Sequence, residues 1–237
     1  MKPIVQTLAL ITGLTLPVSA GAENITLKLY AYGIKAGTIS INGAENATAY
    51  SVKGLVSPSI LLRMFKDIGY KGWSSGKISK GKFYTRKYDG RARTGSRNSI
   101  VKMHWNNNRP VLDKYSPERA KRDYDISPSK QVGTKDLLTA AYLTFRTVTA
   151  DNLCNVTHKM FDGRRRSQIQ LGKPKISGRR ATCAGSYKRV AGFSPHQMTK
   201  GVNFPFTMYY EQQDDGTYRF KEFISAATLG KIRAVRK

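Results

Sequence analysis

Gly72-Trp73-Ser74-Ser75-Gly76 fits the G-x-S-x-G formula of a serine nucleophile. That chemistry needs a strand before the serine and a helix after it. Here Lys77-Ile78-Ser79-Lys80-Gly81-Lys82 follows, alternating in polarity and rich in lysine, which reads as a strand edge or loop. Cys154, His158, Cys183 and His196 are the residue types of a zinc site. Cys154 and His158 fall in a strand-like segment, where positions four apart are roughly 13 Å apart. One zinc bonds each ligand at about 2.0–2.3 Å, so no metal site is expected. His158 shares a strand face with Val156 and Met160 and reads as an inward-facing, satisfied core histidine rather than an acid–base residue. The chain has no G-x-G-x-x-G, P-loop or H-E-x-x-H pattern, and no cofactor is expected. No pair of its 15 acids stands in a core context that suggests paired-carboxylate catalysis.

The cysteines read differently once the N-terminus is considered. Met1-Lys2 is a positive start, Ile4 to Leu16 is apolar, Pro17 breaks the run, and Ala20-Gly21-Ala22 is a small-x-small site. This is the pattern of a secretory signal peptide, assigned to residues 1–22. It leaves 23–237 as a single exported domain, periplasmic or secreted, and no later segment reaches transmembrane length. In an oxidising compartment a solitary pair of cysteines predicts one disulfide, Cys154–Cys183. Closing that loop stabilises the fold by about 3.6 kcal/mol on a chain-entropy argument.

Charge is the compositional outlier. Lysine and arginine number 41 against 15 acids, a net +26 with pI near 10.2, which predicts attraction to polyanions. Lys77 to Arg97 carries eight basic residues and one acid, Asp89, and Lys80, Lys82 and Arg86 can form a stripe on one strand face. Gly163 to Tyr210 carries ten basic residues and no acid. Arg164, Arg165, Arg166, Arg179, Arg180, Lys188 and Arg189 are its candidate anion-binding residues; the other reading is a solvated surface. Tyr84, Tyr88, Tyr187 and Phe193 interleave with these charges as in nucleic-acid binders. Export favours anionic lipid, lipopolysaccharide or an acidic polymer instead, and no specific nucleic acid is expected.

The elements that must carry these residues read as antiparallel β. Ile25, Leu27, Leu29 and Ala31 alternate with polar residues; Gly33 to Gly37 interrupts; Ile39 and Ile41 resume. Further short runs are 49–55, 82–88, 99–105, 156–161, 167–171, 186–191, 204–210 and 218–223. Asn42-Gly43, Asp89-Gly90, Asp162-Gly163 and Asp215-Gly216 are read as hairpin turns. Residues 106–133, polar and Pro-containing, read as a long connection. Two helices are expected, over 58–65 and 134–145, the second capped by Thr134. Leu138, Ala141, Tyr142 and Phe145 form its apolar face, the candidate apolar pocket. The fold class is mainly β, a curved antiparallel sheet or open barrel with one or two short helices.

Four segments carry a resemblance: Tyr30 to Gly37, Lys135 to Tyr142, Phe161-Asp162-Gly163-Arg164-Arg165-Arg166, and Cys183-Ala184-Gly185-Ser186-Tyr187. Together they resemble the exported bacterial proteins of domain of unknown function 3108. The resemblance implies a periplasmic or envelope setting and a curved antiparallel sheet similar to lipoprotein-carrier folds. It brings no activity and no catalytic residues. The function expected is non-catalytic binding of an apolar or anionic envelope ligand. An exported interaction module working by charge and, behind it, a hydrolase are the alternatives.

Overall fold

The computed structural model describes residues 21–65, 68–227 and 230–237. The proposed signal segment, apart from its last two residues, lies outside them. The chain runs β1 (Gly21–Ala31), β2 (Ile34–Glu45), β3 (Ala49–Pro58), α1 (Ile60–Phe65), β4 (Ile68–Ser79), β5 (Lys82–Thr94), β6 (Arg97–Asn106) and β7 (Arg109–Ser116). It continues with α2 (Leu137–Phe145), β8 (Thr157–Phe161), β9 (Arg166–Ser177), β10 (Arg180–Ala191), α3 (Pro195–Thr199), β11 (Asn203–Gln212), β12 (Tyr218–Ala227) and β13 (Gly230–Arg236). The thirteen strands of the described residues form one nearly closed, barrel-like antiparallel sheet, ordered β7-β6-β5-β4-β3-β2-β1-β13-β12-β11-β10-β9-β8. The mainly-β reading is therefore the observed fold.

Consecutive strands pair except β7 and β8, which are the two edges of the sheet, and β1 closes on β13, with Leu27 opposite Arg236 and Ala31 opposite Ile232. In such a meander alternate connections share an end. One end, here the mouth, holds the β2–β3, β4–β5, β6–β7, β9–β10 and β11–β12 turns. The other, the rim, holds β1–β2, α1, and the β5–β6, β8–β9, β10–β11 and β12–β13 connections. The inward faces of β1 to β3 supply Ile25, Leu27, Ile41, Tyr50 and Val52 to the core; β11 and β12 supply Met208, Tyr210 and Phe220.

Helix α2 sits inside the curve, against β3, β4 and β8. Two strand glycines make room for it. A Cβ on Gly43 would lie 2.1 Å from the Tyr142 ring, and one on Gly54 would lie 2.5 Å from Leu138 Cδ1. Asn42-Gly43 and Asp89-Gly90 thus lie within β2 and β5 and are not turns. Asp162-Gly163 and Asp215-Gly216 do form turns. The helix starts at Leu137, capped by Asp136, whose carboxylate accepts from the Leu138 and Thr139 N–H groups. Thr134, the expected cap, donates its hydroxyl to the Gln131 carbonyl.

The edge strands β7 and β8 are joined by the segment entering α2. Gly133 N–H donates to Asn108 O (2.9 Å) and Trp105 Nε1 to Thr134 O (2.8 Å) on the β6–β7 side. On the β8 side Lys135 N–H donates to Lys159 O (2.8 Å) and Phe161 N–H to Lys135 O (2.9 Å). At the rim, Arg164 lies over the Tyr115 ring, 3.5 Å from its centroid, and donates to Pro117 O. Sheet edges left bare invite pairing with other chains, and this seam covers both. Cys154 and Cys183 form the expected disulfide, tying the α2–β8 connection to β10.

Candidate functional site

Asp136 is fully buried and is the centre of a closed polar network. Its Oδ1 takes the two helix N–H groups, each at 2.9 Å. Its Oδ2 accepts from the hydroxyls of Thr139 (2.6 Å), Ser74 (2.8 Å) and Thr85 (2.9 Å). Tyr50 Oη lies 3.0 Å from the Thr139 hydroxyl. Burial drives the Asp136 carboxyl above the usual carboxylate range, opposed by these bonds. Every donor is spent on positioning α2. Ser74, 0% exposed in mid-strand, donates its one hydroxyl proton to the carboxylate, lies 2.9 Å from the Thr139 hydroxyl and has no histidine partner among the described residues. The G-x-S-x-G match arises from packing: a Cβ on Gly72 would strike the Tyr70 hydroxyl and one on Gly76 the Tyr50 ring.

Above this network, at the mouth, lies an open cavity of about 1070 Å³. Its apolar wall includes Ile78, Phe83, Leu143, Val148 and Val156; its cations are Lys80, Lys82, Lys135 and Arg146. The turns β2–β3 and β4–β5, the end of α2 and the start of β8 bring these together. Arg146 is committed: its Nη1 donates to both Glu45 carboxylate oxygens at 2.8 Å, and its guanidinium stacks on Phe83. Lys135 is mostly buried, and desolvation lowers its pKa. His158 also borders the cavity; its Nε2 is buried with no hydrogen-bond partner among the described residues, so it is not the satisfied core histidine expected from the sequence. Burial first, then the Lys135 charge, lowers the imidazole pKa to about 4. A buried, unsatisfied ring nitrogen costs free energy unless a ligand or water meets it. The inward orientation of His158 follows from strand alternation; the unfilled bond and the Lys135 neighbour do not show in sequence.

The anion-binding candidates divide between the two ends. Arg164, Arg165, Arg166, Lys188 and Arg189 lie at the rim, on the β8–β9 turn and the paired ends of β9 and β10. Arg179 and Arg180 lie at the other end of that hairpin, and Arg179 is held by Gln212 O and Asp214. Arg165 and Arg189 face the Phe193 ring, and Arg189 also donates to the carbonyls of Gln197 and Gly201. Asp162 bonds the Arg164 and Arg165 backbone N–H groups, shaping the turn. Of the apolar-pocket candidates, Leu138 and Tyr142 are buried against the sheet, while Ala141 and Phe145 are partly buried beside the core. None of the four borders the mouth cavity. Among the described residues no group of three or more His, Cys, Asp or Glu is placed to hold a metal ion. No helix among them is long and apolar enough to cross a membrane.

Fold and site define a barrel-like antiparallel sheet enclosing a carboxylate-capped helix, with a basic cavity at one mouth. The model of the family described as protein of unknown function DUF3108 matches residues 24–222, and the chain belongs to that family. No curated protein and no solved structure matches the chain.

Proposed function

We propose that this is an exported, periplasmic or envelope-associated binding protein, non-catalytic, that holds an anionic amphiphile in the mouth cavity. The observation that carries the reading is the pairing of Lys135 with the partnerless His158 Nε2 beside an apolar wall. A phosphate or carboxylate head would take the lysine, and a head-group hydroxyl or bound water the ring nitrogen. Ile78, Phe83, Leu143 and Val156 would take up chain methylenes, each worth about 0.8 kcal/mol when fully buried. The N-terminal signal pattern and the disulfide support an exported setting. The buried, saturated Ser74–Asp136 network gives no support to hydrolysis at that serine.

The test uses the full exported chain with Trp73→Phe, so that Trp105, bonded to the cavity-lining Thr134, is the fluorescent reporter. Dodecyl phosphate should perturb Trp105 and bind; dodecyl maltoside, uncharged, should bind far more weakly. Lys135→Ala should weaken dodecyl phosphate by about tenfold, as loss of one charge-assisted hydrogen bond predicts. Equal binding of the two detergents, or an unchanged affinity in Lys135→Ala, refutes the reading. Mass spectrometry of what co-purifies from the envelope would identify the natural ligand.

A further inference from the structure

The rim opposite the cavity carries a cluster of exposed apolar side chains that the core does not use. Tyr32 and Ile34 flank the β1–β2 turn at 56% and 57% exposure, and Ile60 and Leu61 open α1 at 82% and 48%. The backbone holds them side by side. Tyr32 N–H donates to Lys231 O, which sets Ile232 beside the turn, and Ser59 N–H donates to Ala36 O, which seats α1 against β2. In the sequence these are two separate stretches, a strand break from Gly33 and a short helix over 58–65. The sheet order makes them neighbours.

Among the described residues the charge around the cluster has one sign. Lys35, Arg63, Arg97 and Lys231 are exposed at this end, and segments 30–38, 57–65, 91–97 and 230–237 contain no acid. Arg164 and Arg165 occupy the same end on the far side of the sheet. Apolar side chains at a tip with a surround of lysine and arginine are the two contributions that draw a protein to an anionic bilayer interface. A protein partner would need an acidic surface with an apolar centre; a bilayer of anionic lipid offers both over its whole area.

We infer that the protein docks rim-first on the surface of an anionic lipid bilayer, by Tyr32, Ile34, Ile60 and Leu61 with Lys35 and Lys231. This leaves the mouth cavity pointing away from the lipid, and it stands whether or not the cavity binds an amphiphile. Co-sedimentation of the full chain with vesicles tests it. Vesicles containing phosphatidylglycerol should retain the protein, and those of phosphatidylcholine alone should not. Ile60→Ser with Leu61→Ser, and separately Lys35→Ser with Lys231→Ser, should each lower the partition by about tenfold. Leu55→Ser with Trp73→Ser, exposed apolar residues on the outer wall, should leave it unchanged. All three variants should keep the wild-type circular dichroism spectrum and a cooperative thermal melt, since none of the altered side chains belongs to the core. The proposal is overturned by no retention on anionic vesicles, by rim variants that bind like wild type, or by an equal loss in the wall variant. It is also overturned if the rim substitutions abolish self-association in solution instead, which would make the rim a contact between copies.

Discussion

His158 shows how one residue couples stability to the cavity. Its imidazole pKa falls from an ordinary 6.5 to about 4 through burial and the Lys135 charge. The unfolded chain therefore binds a proton in the interval where the folded chain does not. Stability from this group is complete above pH 6.5 and is lost as pH falls through 4, a span worth roughly 3 kcal/mol. Asp136 and Asp162 are shifted upward by burial and act with opposite sign in the acid range. Comparison with His158→Phe cancels them, since both proteins retain both acids. Urea unfolding between pH 7 and 4 should show wild type losing stability relative to the variant; parallel curves would contradict the assignment. An anion seated on Lys135 should raise the His158 midpoint in an NMR titration. Strand alternation made the direction of this side chain legible. Its lack of a partner was not, because the chain leaves Lys135 through α2 and folds back before β8 pairs with it, a contact that no local pattern announces.

At the scale of elements, what was hidden was mostly glycine used for packing. Asn42-Gly43 and Asp89-Gly90 have the composition of hairpin turns, yet both lie in strands, where the missing Cβ admits the Tyr142 ring and the Tyr88 hydroxyl. Composition alone cannot separate a glycine that turns the chain from one that a neighbouring side chain overlies. For the same reason Gly72 and Gly76 disguised β4, whose serine resembled a nucleophile. Strand β7 was concealed by Pro110, which a sheet edge tolerates because its missing N–H leaves no ladder bond unmade. The long alternating runs, α2 and the cysteine pair were legible because each is a local or solitary signal. The glycine interpretation is testable at Gly54, where Leu138 overlies the strand. Gly54→Ala should cost about 1–3 kcal/mol by overpacking, and Leu138→Ala about 2–5 kcal/mol by cavity formation. Combined, they should cost less than their sum, because the new methyl enters the space leucine leaves. Additive losses in denaturant unfolding would show that the two sites do not meet.

For the whole molecule, the class was legible and the closure was not. Period-2 alternation, repeated along most of the chain, permits little besides an antiparallel sheet, but no local pattern says which strands end up side by side. The deciding contact, β1 against β13, joins residues some two hundred positions apart, such as Leu27 and Arg236. Its consequence concerns time. Both meanders, β1 to β7 and β8 to β13, can assemble from adjacent hairpins with little loop-closure cost, whereas their union waits for the last strand. A chain delivered N-terminus first therefore passes through an interval with β1 a bare edge lined by Ile25 and Leu27, a surface on which unfinished copies can polymerise. Pulse-labelled hydrogen exchange during refolding should find the β4–β5 amides protected before those that β1 and β13 share. The reverse order would mean that the termini nucleate the barrel. If the hairpins do lead, successful maturation depends on how quickly the final strand arrives, and a holding chaperone that masks the β1 edge would raise the yield more than one that accelerates any single hairpin.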